Sequence, residues 1–361
     1  MKKRHKYFLI LLLIMALAQN KAFAQDPAFT QPYMSPVYLN PAATGAGEHD
    51  FRISAIFRRQ WWATPSRFAY GVFSVDKFIP ALQSGIGLMV TTSSEGYLKK
   101  NGIYASYAYT FCPGTGSVAN NYSGLPKWFL SGAFQFGMVQ RRIDYKDLLF
   151  IDQVNAGGII PGVETGADLP VNNSRWYFDA GAGLFFNYRT NEDKSRWLVG
   201  ISAKHVNRPD ESLIGTNDAN RSIVPVLWSA NLMYSGPLAT DWTYSIIANG
   251  SKQQKNKLMQ VGVEVTQNVI DIGLGIWYRS GDIPNPDALG ISLKFNLSGR
   301  DNKTSKIRAG IAHDANIGGL RYSNNHGSSE LGITWDQDTY NTNSENACKP
   351  FISSGIACPK F

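Results

Sequence analysis

The sequence predicts an all-β protein: a transmembrane antiparallel β-barrel of the bacterial outer membrane with about 14 strands. Three observations carry this expectation. Residues Arg175 to Val206 alternate apolar and polar side chains with period two across a short polar turn. The chain opens with an export signal and afterwards lacks any apolar run of roughly 18 residues. The alternation then recurs along the whole chain, between connections that are by turns short and long.

In the first of these stretches, Trp176, Phe178, Ala180, Ala182, Leu184, Phe186 and Tyr188 share one parity, and Asp179, Gly181, Gly183, Asn187 and Arg189 share the other. A helix would mix the two sets, whereas a strand sends them to opposite faces. The same code appears in a β-sandwich, where it separates core from water. Its repetition over strand after strand favours the membrane barrel.

Taken in order, Met1 to Ala24 has a basic head (Lys2, Lys3, Arg4, Lys6), an apolar run of about a dozen residues and the small-residue site Ala22-Phe23-Ala24. Removal of this segment leaves Gln25 first. Of the formal +8 charge, five positive charges lie in the signal, so the mature chain carries about +3. This removes the argument for nucleic acid that the basic balance would otherwise make.

Asp26 to Thr44 contains four prolines and no usable period, so it is expected to be extended or turn-like. Its Phe29, Tyr33, Tyr38 and Leu39, with Asn40 and Pro41, must still find cover. They are expected either to plug the barrel end or to contact a partner protein.

Strands are expected at about 51–60, 67–76, 84–92, 101–111, 127–141, 175–189, 196–206, 225–235, 240–251, 257–267, 269–280, 288–297, 304–314 and 328–336. The count is even, as required to bring both termini to the periplasmic side. From the sixth strand onward the expected periplasmic turns are short, and the expected external loops (143–174, 207–224, 315–327) are long. The turn 112–126 departs from this rule. The chain thus divides into signal (1–24), periplasmic N-terminal segment (25–50), barrel (51–336) and periplasmic tail (337–361).

In the later strands Ile270, Ile272, Leu274, Ile276 and Tyr278 are expected to face lipid, opposite Asp271, Gly273, Gly275, Trp277 and Arg279. A cation aimed at the bilayer midplane costs about 2–4 kcal/mol, which fixes the parity. Trp61, Trp62, Trp128, Trp176, Trp197 and Trp242 fall near strand ends, where an aromatic girdle belongs.

The inward-facing charges Asp179, Arg189, Lys204, Glu264, Asp271, Arg279, Lys294, Arg308 and Asp314 carry both signs. They would neutralise one another in a packed lumen or line a water path. Ser202, His205 and Asp179 are of hydrolase type, but no Gly-x-Ser-x-Gly or His-Glu-x-x-His motif accompanies them. No catalytic, cofactor or metal site is therefore expected. Cys348 and Cys358 would close a short disulfide loop in an oxidising compartment, with Cys112 able to compete for either.

Several short motifs resemble the PorP/SprF family of outer-membrane proteins from the type IX secretion and gliding apparatus of Bacteroidota. At the mature start these are Asp26-Pro27-Ala28-Phe29-Thr30-Gln31 and Tyr38-Leu39-Asn40-Pro41-Ala42, followed by Phe57-Arg58-Arg59-Gln60-Trp61 on the first strand. Further on come Phe178-Asp179-Ala180-Gly181-Ala182-Gly183, Gly200 to Pro209, Gly275-Ile276-Trp277-Tyr278-Arg279 and Ala312-His313-Asp314. The resemblance implies a barrel serving export or surface anchoring of a partner such as an adhesin, in contact with other secretion components and outer-membrane lipid. The last strand reads Ser329-Glu330-Leu331-Gly332 where that family would place a His-Glu pair, so the branch is left open. A pore for small solutes is the alternative function.

Overall fold

The computed structural model describes residues 26–46, 50–65, 67–111, 128–145, 148–155, 158–160, 162–167, 173–190, 195–213, 221–281, 286–297, 305–318 and 322–337. Fourteen antiparallel strands close into a barrel. In chain order they are β1 (Phe51–Gln60), β2 (Phe68–Ile79), β3 (Ser84–Glu95), β4 (Leu98–Phe111), β5 (Trp128–Ile143), β6 (Ser174–Arg189) and β7 (Arg196–Lys204). There follow β8 (Leu227–Ala239), β9 (Trp242–Gln253), β10 (Asn256–Gln267), β11 (Ile272–Ser280), β12 (Ala288–Asn296), β13 (Ser305–Asn316) and β14 (Ser328–Gln337).

Each strand pairs with its sequence neighbours, and β1 closes the ring on β14 with Phe51 opposite Gln337 and Gln60 opposite Ser328. Closure leaves no open edge, which lipid would not tolerate. No helix among the described residues is long and apolar enough to cross a membrane. The crossing is made by strands, and the protein is an outer-membrane β-barrel.

The period-two code is realised as an inside-out protein. Leu88, Phe134, Leu274, Ile276 and Ile291 are exposed on the outer wall, Ile276 by 69%. Their alternate neighbours, including Ser106, Gln135, Asp179, Glu264 and Ser292, are buried inside. In water such a wall would be an aggregation surface; in lipid it is the solvated face. Trp62, Trp176, Trp197, Trp228 and Trp242 stand exposed near strand ends, whereas Trp277 points inward and is 2% exposed.

Two sequence expectations are corrected in detail. The eleventh strand begins at Ile272, not 269, because Asp271 adopts a left-handed φ of 53° within the turn after β10. Asp271 therefore sits at a turn, accepting from Asn296 Nδ2 at 3.3 Å, and Ile270 is likewise a turn residue. The seventh strand stops at Lys204 because His205 turns away with φ 57°. Residues 26–46, ahead of the first strand, run inside the barrel.

Candidate functional site

Residues 26–46 form an irregular strap made of three single turns, Pro32–Met34, Pro36–Leu39 and Pro41–Ala43, each opened by a proline. Proline at the first position fixes φ for a turn and has no amide hydrogen to leave unpaired. Asn40 joins the last two, its side chain accepting from the Ala42 amide at 2.9 Å. So short a chain has little secondary structure of its own; its place is set by what surrounds it.

The strap runs through the lumen. Phe29, Tyr33, Met34 and Val37 are buried against Ile56, Val72, Met89, Leu198, Met233, Ile247 and Trp277, an apolar core inside the barrel. Tyr38 and Leu39 are half-buried, and Asn40 and Pro41 are buried. All six residues selected at the N-terminus thus face the barrel's own interior. The lumen space left beside the strap includes pockets of about 60 and 80 Å³.

Backbone groups of the strap are met by charged and polar wall residues. Glu330 accepts from the amides of Thr30 and Gln31 at 2.7 Å each. Thr30 Oγ1 donates to Asp314 and receives Arg58 Nη1 at 2.7 Å and Arg279 Nη2 at 3.1 Å. Gln260 Nε2 donates to the Thr30 carbonyl at 2.7 Å. Lower down, Tyr33 donates to Glu264 at 2.6 Å, and Asn40 Nδ2 donates to the carbonyls of Leu184 and Ile201. At the end near β1, Arg52 donates to the Ala43 and Ala46 carbonyls while holding Asp76, which accepts from the Gly45 amide at 2.7 Å. Buried charges are tolerable only when so compensated.

Two wall glycines show how close the approach is. A Cβ on Gly85 would lie 2.1 Å from the Thr44 carbonyl oxygen, and one on Gly183 would lie 2.1 Å from Asn40 Oδ1. Their inward faces are therefore shaped to the strap, beyond being small.

Several of the inward charges selected from sequence come together as pairs. Asp314 binds Arg58 at 2.6 Å and Arg279 at 3.0 Å. Lys294 pairs with Glu264, and Arg308 pairs with Asp336. Lys204 lies 3.5 Å from the Tyr38 ring centroid. Arg189 stands opposite Arg196 near the strand end. Five charged partners in these pairs and strap contacts were not expected from sequence: Arg52, Arg58, Asp76, Glu330 and Asp336. Arg58 lay within a quoted motif, and its parity on β1 marks it as inward.

Near the other end of the lumen His205 is clamped between two carboxylates. Its Nδ1 is 2.9 Å from Asp179 and its Nε2 is 2.8 Å from Asp26. Burial alone would depress its pKa, but the attraction of Asp26 and Asp179 outweighs this and raises it to about 9. Burial opposes ionisation of Asp26 too, yet the facing His205 holds that carboxyl below the usual range. Ser202 instead points at the Leu39 carbonyl, 3.5 Å away. With both imidazole nitrogens taken by carboxylates, Ser202, His205 and Asp179 do not assemble a nucleophile and base. Among the described residues no cluster suits a metal ion. Cys112, Cys348 and Cys358 lie outside the described residues.

No curated protein matches the sequence. Among solved structures, the Pseudomonas putida toluene transporter TodX is 7% identical, covering 86% of this chain and 94% of its own at a TM-score of 0.43. A Pseudomonas aeruginosa FadL homologue is 10% identical, covering 90% and 97% at a TM-score of 0.42. Neither likeness bears on what docks or passes here. The family model of the type IX secretion system membrane protein PorP/SprF matches residues 21–335, nearly the whole chain, and the protein belongs to that family.

Proposed function

We propose that this membrane component of type IX secretion works as a closed, non-enzymatic barrel that assists export or surface anchoring of a partner protein such as an adhesin. The observation that supports this most directly is the occupied lumen. A strap with buried apolar residues, held by Glu330, Asp314, Glu264 and Asp76, leaves the interior committed to the chain itself. A solute pore, the alternative reading, would require this strap to leave. In the proposed arrangement both termini of the barrel face the periplasm, where other secretion components are available, and the opposite end meets the cell surface.

The test is deletion of the gene followed by a census of surface proteins and a motility assay. Loss of one or several exported proteins from the surface is the expected result. An unchanged surface proteome with normal movement rejects the proposal, and steady conductance of the purified native protein in a planar bilayer would favour the pore instead.

A further inference from the structure

The outer wall carries charges unequally at its two ends. At the end away from Phe51 and Gln337, Lys99 on β4 and Arg142 on β5 are direct cross-strand partners, both exposed and both pointing outward. Lys252 on β9 and Lys257 on β10 repeat the arrangement on another side of the barrel. At the end where Phe51 and Gln337 meet, outward positions hold Tyr188, Trp197, Trp242 and Trp335, with Lys77 the outward cation among the described strand residues.

Directly opposed side chains on neighbouring strands have Cβ atoms about 4.5–5.5 Å apart, so two like charges there destabilise the pair. The Lys99 and Arg142 pair has Asp144 on one side only, 3.7 Å from Arg142. An anion bridging the two cations would convert repulsion into attraction, and phosphate can accept from both. The height of the pair says what kind of phosphate. On the same outward face, two residue positions below, Asn101 and Gln140 face each other, and two positions further Ile103 and Met138 begin the apolar band. At about 3.3 Å per residue, the cations stand roughly 13 Å along the tilted strands beyond the first apolar pair, at headgroup depth.

Polar neighbours at this level make a continuous apron over four strands. Ser94 is paired with Lys99, and Ser174 with Arg142. Asn101 accepts from Thr92 at 2.8 Å, and Gln140 donates to Ser174 at 2.9 Å. Hydroxyl and amide groups beside a cation pair suit sugar hydroxyls next to a phosphate better than a simple phosphodiester headgroup.

We propose that the outward Lys99 and Arg142 pair, with its Ser94, Asn101, Gln140 and Ser174 surround, binds the phosphorylated sugar headgroup of a glycolipid of the lipid A class. If the barrel stands as proposed above, this is the outer leaflet. The binding itself depends only on the wall and can be measured without knowing the orientation or the secretion role.

The experiment uses the full-length protein in lipid nanodiscs, with bound lipid quantified by native mass spectrometry. Bisphosphoryl lipid A is the probe, and dephosphorylated lipid A and phosphatidylglycerol are the comparisons. The native protein is expected to retain bisphosphoryl lipid A, and K99Q/R142Q to weaken that retention at least tenfold, while K77Q at the other end leaves it unchanged. Retained heat-modifiable mobility on gels certifies that each variant is a folded barrel. Native-like retention by K99Q/R142Q overturns the proposal, as does equal binding of dephosphorylated lipid A or of phosphatidylglycerol.

Discussion

Arg58 on β1 lies 2.6 Å from Asp314 on β13, and across the same guanidinium it reaches Thr30 of the strap and Glu330 of β14. The contact joins the closing seam of the barrel to its contents. Removing one partner of a buried pair costs about 3–5 kcal/mol because a charge is left uncompensated. Arg58→Met is therefore expected to lower the unfolding midpoint in urea markedly. R58M/D314M should lose less than the sum of the single variants, which a double-mutant cycle on refolded protein would measure.

A second prediction concerns the wall rather than the strap. Gly85→Val places a side chain where the Thr44 carbonyl now sits, since even a Cβ would approach it to 2.1 Å. The strand can accept valine, but the strap cannot stay. Hydrogen exchange over residues 40–46 should quicken while the barrel strands remain protected. Gly250→Ala, where nothing lies within 4 Å, should change neither.

Opening of the lumen follows from the same geometry. Deletion of residues 26–46 removes the apolar core around Tyr33 and Met34 and exposes Glu264, Asp314 and Glu330 to water. Planar bilayers should then show steady conductance that the native protein lacks. Silent bilayers containing folded deletion protein would mean that the strap is not what closes the interior.

The clamp on His205 predicts a window in pH. His205 has its pKa raised from 6.5 to about 9, so its stabilisation is complete below 6.5 and is lost as pH rises through about 9. Asp26 is held below its ordinary 3.8, so its share is present above 3.8 and is lost as pH falls below that value. The stability difference between the native protein and Asp26→Asn should therefore be greatest between about pH 4 and 6.5 and shrink as pH rises through about 9, where Lys100 and Lys204 still attract the carboxylate. Thermal unfolding followed at several pH values would check this; a constant difference across the range would contradict it.

The strand number and the choice of faces were legible because both depend on local alternation. Ile276 faces out and Trp277 faces in for the same reason that their parity differs. Strand ends were less so. Asp271 and His205 each leave the ladder through a left-handed backbone, which these residue types adopt more readily than most but do not require. The family motifs at Asp26 to Gln31 and Gly200 to Pro209 were visible in the sequence, but their meeting through Asp26 and His205 was not. Residues 179 positions apart come into contact only when the strap lies against the wall. Likewise Gly183 reads from its parity as a small inward residue, while its full reason is the passage of Asn40 alongside.

The strap also precedes every strand in the sequence, and it lies within a ring whose seam joins the first strand to the last. Its anchors come from strands at both margins of that seam, Arg58 on one side and Glu330 on the other. A cylinder sealed first could be loaded only by threading a loose end down its bore. Assembly is simpler if the wall is wound around its filling, so that stitching the final edge to the first locks in a cargo the molecule brought with it.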